Sequence, residues 1–426
     1  MSEAGEPSAP SPSGRSRGVN VAVAMAVMNV ATYGFTMIAA RLLGPRPYGA
    51  LAAFMATLLV FGVVQLGLQA TAARRIAANA SHLAMVRHTV MKVTVGAALL
   101  LGALLLALAP VVDRVLHLDD LRAAALVGIT LVPMTVVGGQ LGILQGQRRW
   151  TALSWVYTAN GVPRLLVGAA LIAVEPSAFV AMAAVAVSAF VPMLVGWLAL
   201  RHDAPGTPSS EEHGVRDVLG ELFHNSQALL AFFALSNVDI LVARNQLGAH
   251  DAGLYAGGLI LVKAVLFLPQ FVVVLAFPSL STVDQRRRAL LASLTLVAVA
   301  GAVCTLGAWV LSDVAMLFVG GSEYREIESS LWLFAVLGTA LSMLQLLVYS
   351  VLARQARKSG LLVWIAFAAV TVLGLRLSSW QDLLQTVVLI DASLFVVLLG
   401  ITLWRLREPS AAPDPVESGT HPGALQ

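Results

Sequence analysis

Of 426 residues only 12% are charged and 58% are hydrophobic, with a mean hydropathy of +0.82 and a formal net charge of +4. A soluble domain carries roughly a quarter charged residues, so this chain has more apolar surface than a water-soluble fold could bury. The composition calls for a bilayer, and a charge of +4 needs no nucleic-acid partner to explain it.

The first 18 residues are polar and rich in Pro, Ser and Gly, and read as a disordered tail. Twelve apolar runs follow, at roughly 19–40, 49–72, 90–111, 123–145, 151–173, 177–200, 225–245, 253–279, 289–311, 329–353, 360–376 and 383–404. Each is close to the ~20 residues that a helix needs to cross the hydrocarbon core. Being continuous rather than alternating, the runs predict helices and not barrel strands. The first run is of span length, longer than a signal-peptide core, so it is expected to stay as a membrane helix.

Several places along this series stand out. The first run holds Asn29 and ends in ARLLGPRPYGAL at 40–51, where Gly44-Pro45 and Pro47 would stop one helix and Gly49 would let the next start close by. The second holds Gln65. The fourth contains Gly138, Gly142 and Gly146 at small-xxx-small spacing, a signature of close helix packing. The fifth carries Pro163 and Arg164. Residues 201–224 form a polar linker, and 406–426 a second disordered tail. The seventh run holds Asn237 and Asp239, the eighth Lys263 and Pro269, and the twelfth Asp391. The single cysteine, Cys304, lies in the ninth run, and the eight histidines have no ligand-like spacing, so neither a metal site nor a cofactor is expected.

With the N-terminus inside, 18 of the 27 lysines and arginines fall on the inner side. Seven (Arg41, Arg46, Arg114, Arg122, Arg244, Arg325 and Arg376) fall outside, and Arg164 and Lys263 lie within spans. This asymmetry puts both termini in the cytoplasm. The opening motif returns as ARNQLGAHDAGLY at 243–255, with Leu43-Gly44 matching Leu247-Gly248 and Gly49 matching Gly253 at a constant shift of 204 positions. Six spans separate the copies, so both sit at one membrane face and the halves are parallel repeats. The expected fold is an all-α polytopic membrane protein in which an N-lobe at 19–200 and a C-lobe at 225–405, six helices each, flank a central cleft.

ARLLGPRPYGAL, the VVQLGLQATAARRIA stretch at 63–77 and the segment 237–281 resemble the polysaccharide-export branch of the multidrug/oligosaccharidyl-lipid/polysaccharide exporter superfamily. The resemblance is close over spans 1–2 and 7–8, and elsewhere is one of hydropathy and loop pattern. It implies a flippase, not an enzyme, that carries an undecaprenyl-diphosphate-linked saccharide across the bacterial plasma membrane. Its partners would be membrane lipids and the polysaccharide synthesis machinery. Some members have fourteen spans; twelve here leave out the helices that could add a lipid groove.

A charge at bilayer depth costs about 2.5–3.5 kcal/mol on insertion scales, so it marks a partner or a wet cavity. Arg164 and Lys263 each fall near mid-depth, one per lobe, where an anionic diphosphate held between lobes would meet them. Arg41 is a third headgroup candidate. Asp239 and Asp391 are the deep carboxylates, suited to ion coupling or to an internal salt bridge with Lys263. Asn29, Gln65 and Asn237 are candidate sugar contacts, and Pro269 a hinge. Two other functions stay open. A multidrug or cation antiporter would be expected to carry a carboxylate inside its first lobe, and spans 1–6 have none. A membrane glycan polymerase or ligase would need a large outer catalytic loop, whereas the longest outer segment is 312–328.

Overall fold

The computed structural model describes residues 12–78, 82–201, 215–266, 285–352 and 357–405, and among these the chain is helical, without strands. The N-terminal half comprises α1 (Pro12–Leu43), α2 (Pro45–Phe61), α3 (Val63–Ala78), α4 (Leu83–Ala107), α5 (Ala109–Leu116), α6 (Leu121–Gly146), α7 (Trp150–Val174), α8 (Ala178–Ser188) and α9 (Phe190–Leu200). The C-terminal half comprises α10 (Val215–Gln246), α11 (Ala249–Leu266), α12 (Gln285–Val310), α13 (Ser312–Val319), a 3₁₀ helix (Ser322–Ser330), α14 (Leu331–Leu352), α15 (Arg357–Gly374) and α16 (Trp380–Arg405). Among the described residues the apolar runs fall on helices; 267–279 of the eighth run lie outside them. Ten helical segments among the described residues are long and apolar enough to span a membrane, and α10 and the shorter α15 carry the seventh and eleventh runs.

Hydropathy does not record where a span bends. The second run is broken at Gly62 and the sixth at Ala189, and after the third a short α5 turns off at Leu108. The helices α1 and α10 begin at Pro12 and Val215, upstream of the runs they carry. Within the N-terminal lobe α1 packs on α7, α3 and α4 on α6, α6 on α9, and α7 on α8 and α9. The C-terminal lobe repeats this scheme: α10 packs on α15, α11 and α12 on α14, and α14 and α15 on α16. The short helices α5 and α13 occupy matching places after the third helix of each lobe. The sequence repeat is thus a structural one.

The glycine ladder of α6 works as its spacing predicts. A β-carbon on Gly138 would fall on the backbone of Gln65, one on Gly142 on that of Gln69, and one on Gly146 on the Ile76 side chain, all on α3. Any larger residue there forces α3 away from α6, at about 1–3 kcal/mol per site for overpacking alone.

The lobes meet where the two copies of the motif lie, here termed the motif face. Gly44 adopts φ +69 between α1 and α2, a left-handed conformation open to glycine, and Pro45 starts α2 with its preset φ. Gly49 differs from its sequence reading. It sits inside α2, and its role is to let the lobes touch: a β-carbon on it would stand 3.0 Å from the Gly253 Cα, and one on Gly253 would overlap the Pro45 carbonyl. The matching glycines of the two motifs therefore cross each other, α2 against α11. On one flank α2 and α3 also run against α10.

Candidate functional site

Two polar constellations stand at membrane depth, one in each lobe. In the C-terminal lobe Lys263 lies 14 residues into α11, about 21 Å from its start. Its Nζ donates to Asn237 Oδ1 at 3.2 Å. The Asn237 amide nitrogen donates to Phe233 O at 2.9 Å and to Ser236 Oγ at 3.2 Å, which fixes the amide with its oxygen toward the lysine. One half-turn on, Asp239 is 2% exposed; its Oδ2 accepts from the Tyr255 hydroxyl at 3.0 Å and its Oδ1 from the Ile240 N–H at 2.9 Å. Lys263 is within electrostatic reach of this carboxylate but does not pair with it directly. Asp391 of α16, 1% exposed, faces the same region within reach of Asp239 and Tyr255, and its Oδ1 has no hydrogen-bond partner among the described residues. Two carboxylates and one ammonium leave this cluster one positive charge short of neutrality when all are ionised.

In the N-terminal lobe Arg164 lies 14 residues into α7, one residue after Pro163. It is half-buried, and its Nε has no partner among the described residues. One turn earlier Gly161 packs on the Met28 backbone of α1 and Asn160 donates to Met28 Sδ at 3.5 Å, so this part of α7 is held against α1. Asn29, half-buried and engaged in an interaction of its own, follows Met28 on that seam. Gln65 fills the gap opposite Gly138 with its backbone and Cγ. Deeper along α3, Gln69 donates to Gln145 Oε1 at 3.1 Å and to the Tyr157 hydroxyl at 2.9 Å, tying α3, α6 and α7 together.

The predicted residues are therefore partly gathered. Lys263, Asn237, Asp239 and Asp391 form one cluster. Arg164 and Asn29 belong to the other lobe, and no hydrogen bond or ion pair joins Arg164 to Lys263. Arg41 stands apart, exposed at the last turn of α1, where a methyl on Gly321 of the opposite lobe would lie 3.6 Å from its guanidinium. Pro269 lies outside the described residues.

Sequence reasoning missed three residues. Tyr255 completes the Asp239 site; a tyrosine in an apolar run needs an acceptor for its hydroxyl, and the facing run offered one. Arg244 was read as an outer-loop charge but is 7% exposed, and its guanidinium donates to Leu116 O at 3.1 Å and to His117 O across the lobe boundary. Tyr324, fully buried, donates to Ala40 O at 3.3 Å and meets Tyr48 edge-on. Together with Asn245, which donates to Val115 O, these contacts close the motif face.

A family model described as polysaccharide biosynthesis protein matches residues 17–284. No curated protein sequence matches. Among solved structures, an inward-facing multidrug resistance MATE family transporter of the MOP superfamily superposes with a TM-score of 0.68 at 13% identity, over 90% of this chain and 98% of that one. The lipid II flippase MurJ, in an inward closed conformation, gives 0.70 at 10% identity over 90% and 87%. An outward-facing MATE structure gives 0.52 at 14% identity over 92% and 96%. The family match, over more than half of its length, shows that the chain belongs to the polysaccharide biosynthesis protein family; its described helices, ten of them long and apolar enough to cross a membrane, share the fold of the MATE and MurJ structures.

Proposed function

We propose that this transporter flips a saccharide carried on undecaprenyl diphosphate across the bacterial plasma membrane by alternating access, supplying cell-surface polysaccharide synthesis. The observation that carries this reading is the pair of half-buried cations near mid-depth, Arg164 in one lobe and Lys263 in the other, with no carboxylate inside the spans of the N-terminal lobe. A diphosphate is the headgroup such a pair would hold: a guanidinium can fork two of its oxygens while an ammonium serves as a point charge. The lysine–arginine asymmetry supports an outer motif face and cytoplasmic termini. The closed state then takes up its cargo from the cytoplasmic side. On this reading Asn29, Gln65 and Asn237 offer hydrogen bonds to sugar hydroxyls, and Arg41 meets the headgroup as the lobes part at the outer face. Asp239 and Asp391, one charge short of neutrality, take up a proton or a monovalent cation that drives the return.

Native mass spectrometry of protein drawn from its own membranes tests the proposal. The wild type is expected to carry diphosphate-linked saccharide lipids, and Lys263→Gln and Arg164→Gln to lose them at unchanged protein yield. Equal loading of all three proteins would remove these cations from the site. Organic cations bound in place of such lipids would turn the assignment to a cation antiporter.

A further inference from the structure

The C-terminal lobe has a groove on its periphery that the transport site does not use. The helices α12 and α14 cross at Gly301, where a β-carbon would fall on the Thr339 side chain. Alongside the crossing, α12, α14 and α16 enclose about 710 Å³. The groove's two threonines turn their hydroxyls onto their own helices, Thr305 to Gly301 O at 2.9 Å and Thr339 to Ala335 O at 2.8 Å. Their methyl groups line the walls together with apolar side chains, Met343 and the rings of Trp309 and Trp332 among them. The groove opens outward: Val299, Val303, Leu306 and Val310 on α12 are 56, 65, 58 and 62% exposed, which in a membrane helix is a lipid-facing surface.

At its motif-face end the groove runs into a second cavity of about 480 Å³, and Trp309 and Trp332 line both. This one is polar. The 3₁₀ helix brings Arg325 and Glu328 onto one face, because side chains three residues apart eclipse each other in that geometry. Glu328 is oriented by Ser312, whose hydroxyl donates to its Oε1 at 2.9 Å. The Arg325 guanidinium makes no hydrogen bond or ion pair among the described residues. An apolar slot, two tryptophans at the level where such rings mark the membrane interface, and an unjoined cation and anion above them form one continuous amphipathic site.

We propose that this site holds a zwitterionic aminophospholipid, with an acyl chain in the groove, its phosphate on Arg325 and its primary ammonium on Glu328. Charge complementarity selects this occupant. An anionic headgroup would add a second negative charge beside Glu328 without neutralising it. A quaternary choline has no N–H to donate to the carboxylate, so it forgoes the charge-assisted bond that an ammonium makes.

The test is titration of the delipidated full-length protein in detergent with phosphatidylethanolamine, phosphatidylcholine, phosphatidylglycerol or undecaprenyl phosphate, with bound lipid counted by native mass spectrometry. Phosphatidylethanolamine should bind about tenfold more tightly than phosphatidylcholine, the worth of one charged hydrogen bond. Glu328→Gln should erase that preference, and Arg325→Gln should weaken both lipids alike. Both substitutions are at the surface of the lobe, and their folding is checked by elution volume. Equal binding of the two zwitterionic lipids, a preference unchanged in Glu328→Gln, or tighter binding of phosphatidylglycerol would overturn the assignment. Tighter binding of undecaprenyl phosphate would give the groove to the carrier lipid instead.

Discussion

Arg244 is the residue whose removal should most directly open the motif face. It leaves the last turn of α10 within the second copy of the motif, crosses to the other lobe and donates to the carbonyls at the end of α5, Leu116 O and His117 O, while almost wholly buried. A cation at a helix C-terminus satisfies carbonyls that the helix cannot, and it opposes the negative end of the dipole. Each hydrogen bond from a charged donor is worth about 1.5–3 kcal/mol net, so losing two removes at least about 3 kcal/mol from the closed state. That is roughly a hundredfold in the closed-to-open ratio: a protein open about 1% of the time would become open about half the time. The assay is maleimide labelling in detergent of Ala53→Cys, a position fully buried one turn below Gly49, in a Cys304→Ser background. Arg244→Gln should raise the labelling rate by more than tenfold, with Arg244→Lys between it and the parent because one donor group replaces the fork. Equal rates in parent and Arg244→Gln would mean that these bonds do not hold the gate, and the reasoning would fail.

Gly253→Leu should prevent closure altogether, since even a β-carbon there overlaps the Pro45 carbonyl, while Gly248→Ala, with nothing within 4 Å, should be silent; labelling at Ala53→Cys distinguishes the two, and a closed Gly253→Leu protein would contradict the crossing. Tyr255→Phe removes the donor to a 2% exposed carboxylate and should cost about 1–3 kcal/mol, read as a lower midpoint in thermal unfolding; an unchanged midpoint would show that Asp239 finds another donor. Gly142→Val places a branched side chain against the Gln69 backbone and Ala72, and is expected to yield aggregated protein by size-exclusion chromatography, whereas Gly96→Val, on an open face, should elute as the wild type does.

The elements that depend on one-dimensional pattern were legible in the sequence. Hydropathy located the apolar helices, ten of which are long and apolar enough among the described residues to cross a membrane, and the Gly138 ladder announced a close contact because a four-residue spacing returns to one helix face. The repeated motif predicted parallel lobes. What remained hidden needed a partner from far along the chain. Gly49 looked like part of a turn, and only the fold shows that it faces Gly253. Arg244 counted as an exterior charge, because nothing local reveals that α5 ends in carbonyls waiting beneath it. Asp239, Lys263 and Asp391 were singled out by the cost of burying charge, yet their arrangement was not: Asn237 takes the lysine and Tyr255 the carboxylate, so two separate hydrogen bonds stand where the salt-bridge reading would have put a direct pair.

The 204-residue shift also relates the contacts that close the motif face, and this explains why the chain carries the motif twice. Ala40 and Arg244 are equivalent positions at the ends of α1 and α10, and each meets the segment that follows the short helix of the other lobe. Arg244 reaches the end of α5, where His117 has φ 47; Tyr324, just beyond α13 and Gly321 at φ 88, reaches the Ala40 carbonyl. Asn245 and its equivalent Arg41 extend the same two contacts, one to Val115 O and the other over Gly321. The gate is therefore a pair of latches around a glycine crossing, alike in backbone placement but different in chemistry, charged on one side and aromatic on the other. A crossing of two glycines has no side chains to interdigitate, so it supplies a pivot with little affinity of its own, and the latches supply the closure. Because the lobes cannot part while either latch holds, their free energies add. Tyr324→Phe combined with Arg244→Gln should raise the open-to-closed ratio, derived from Ala53→Cys labelling against a fully open standard, by close to the product of the single effects; a smaller rise would mean that the lobes open one flank at a time.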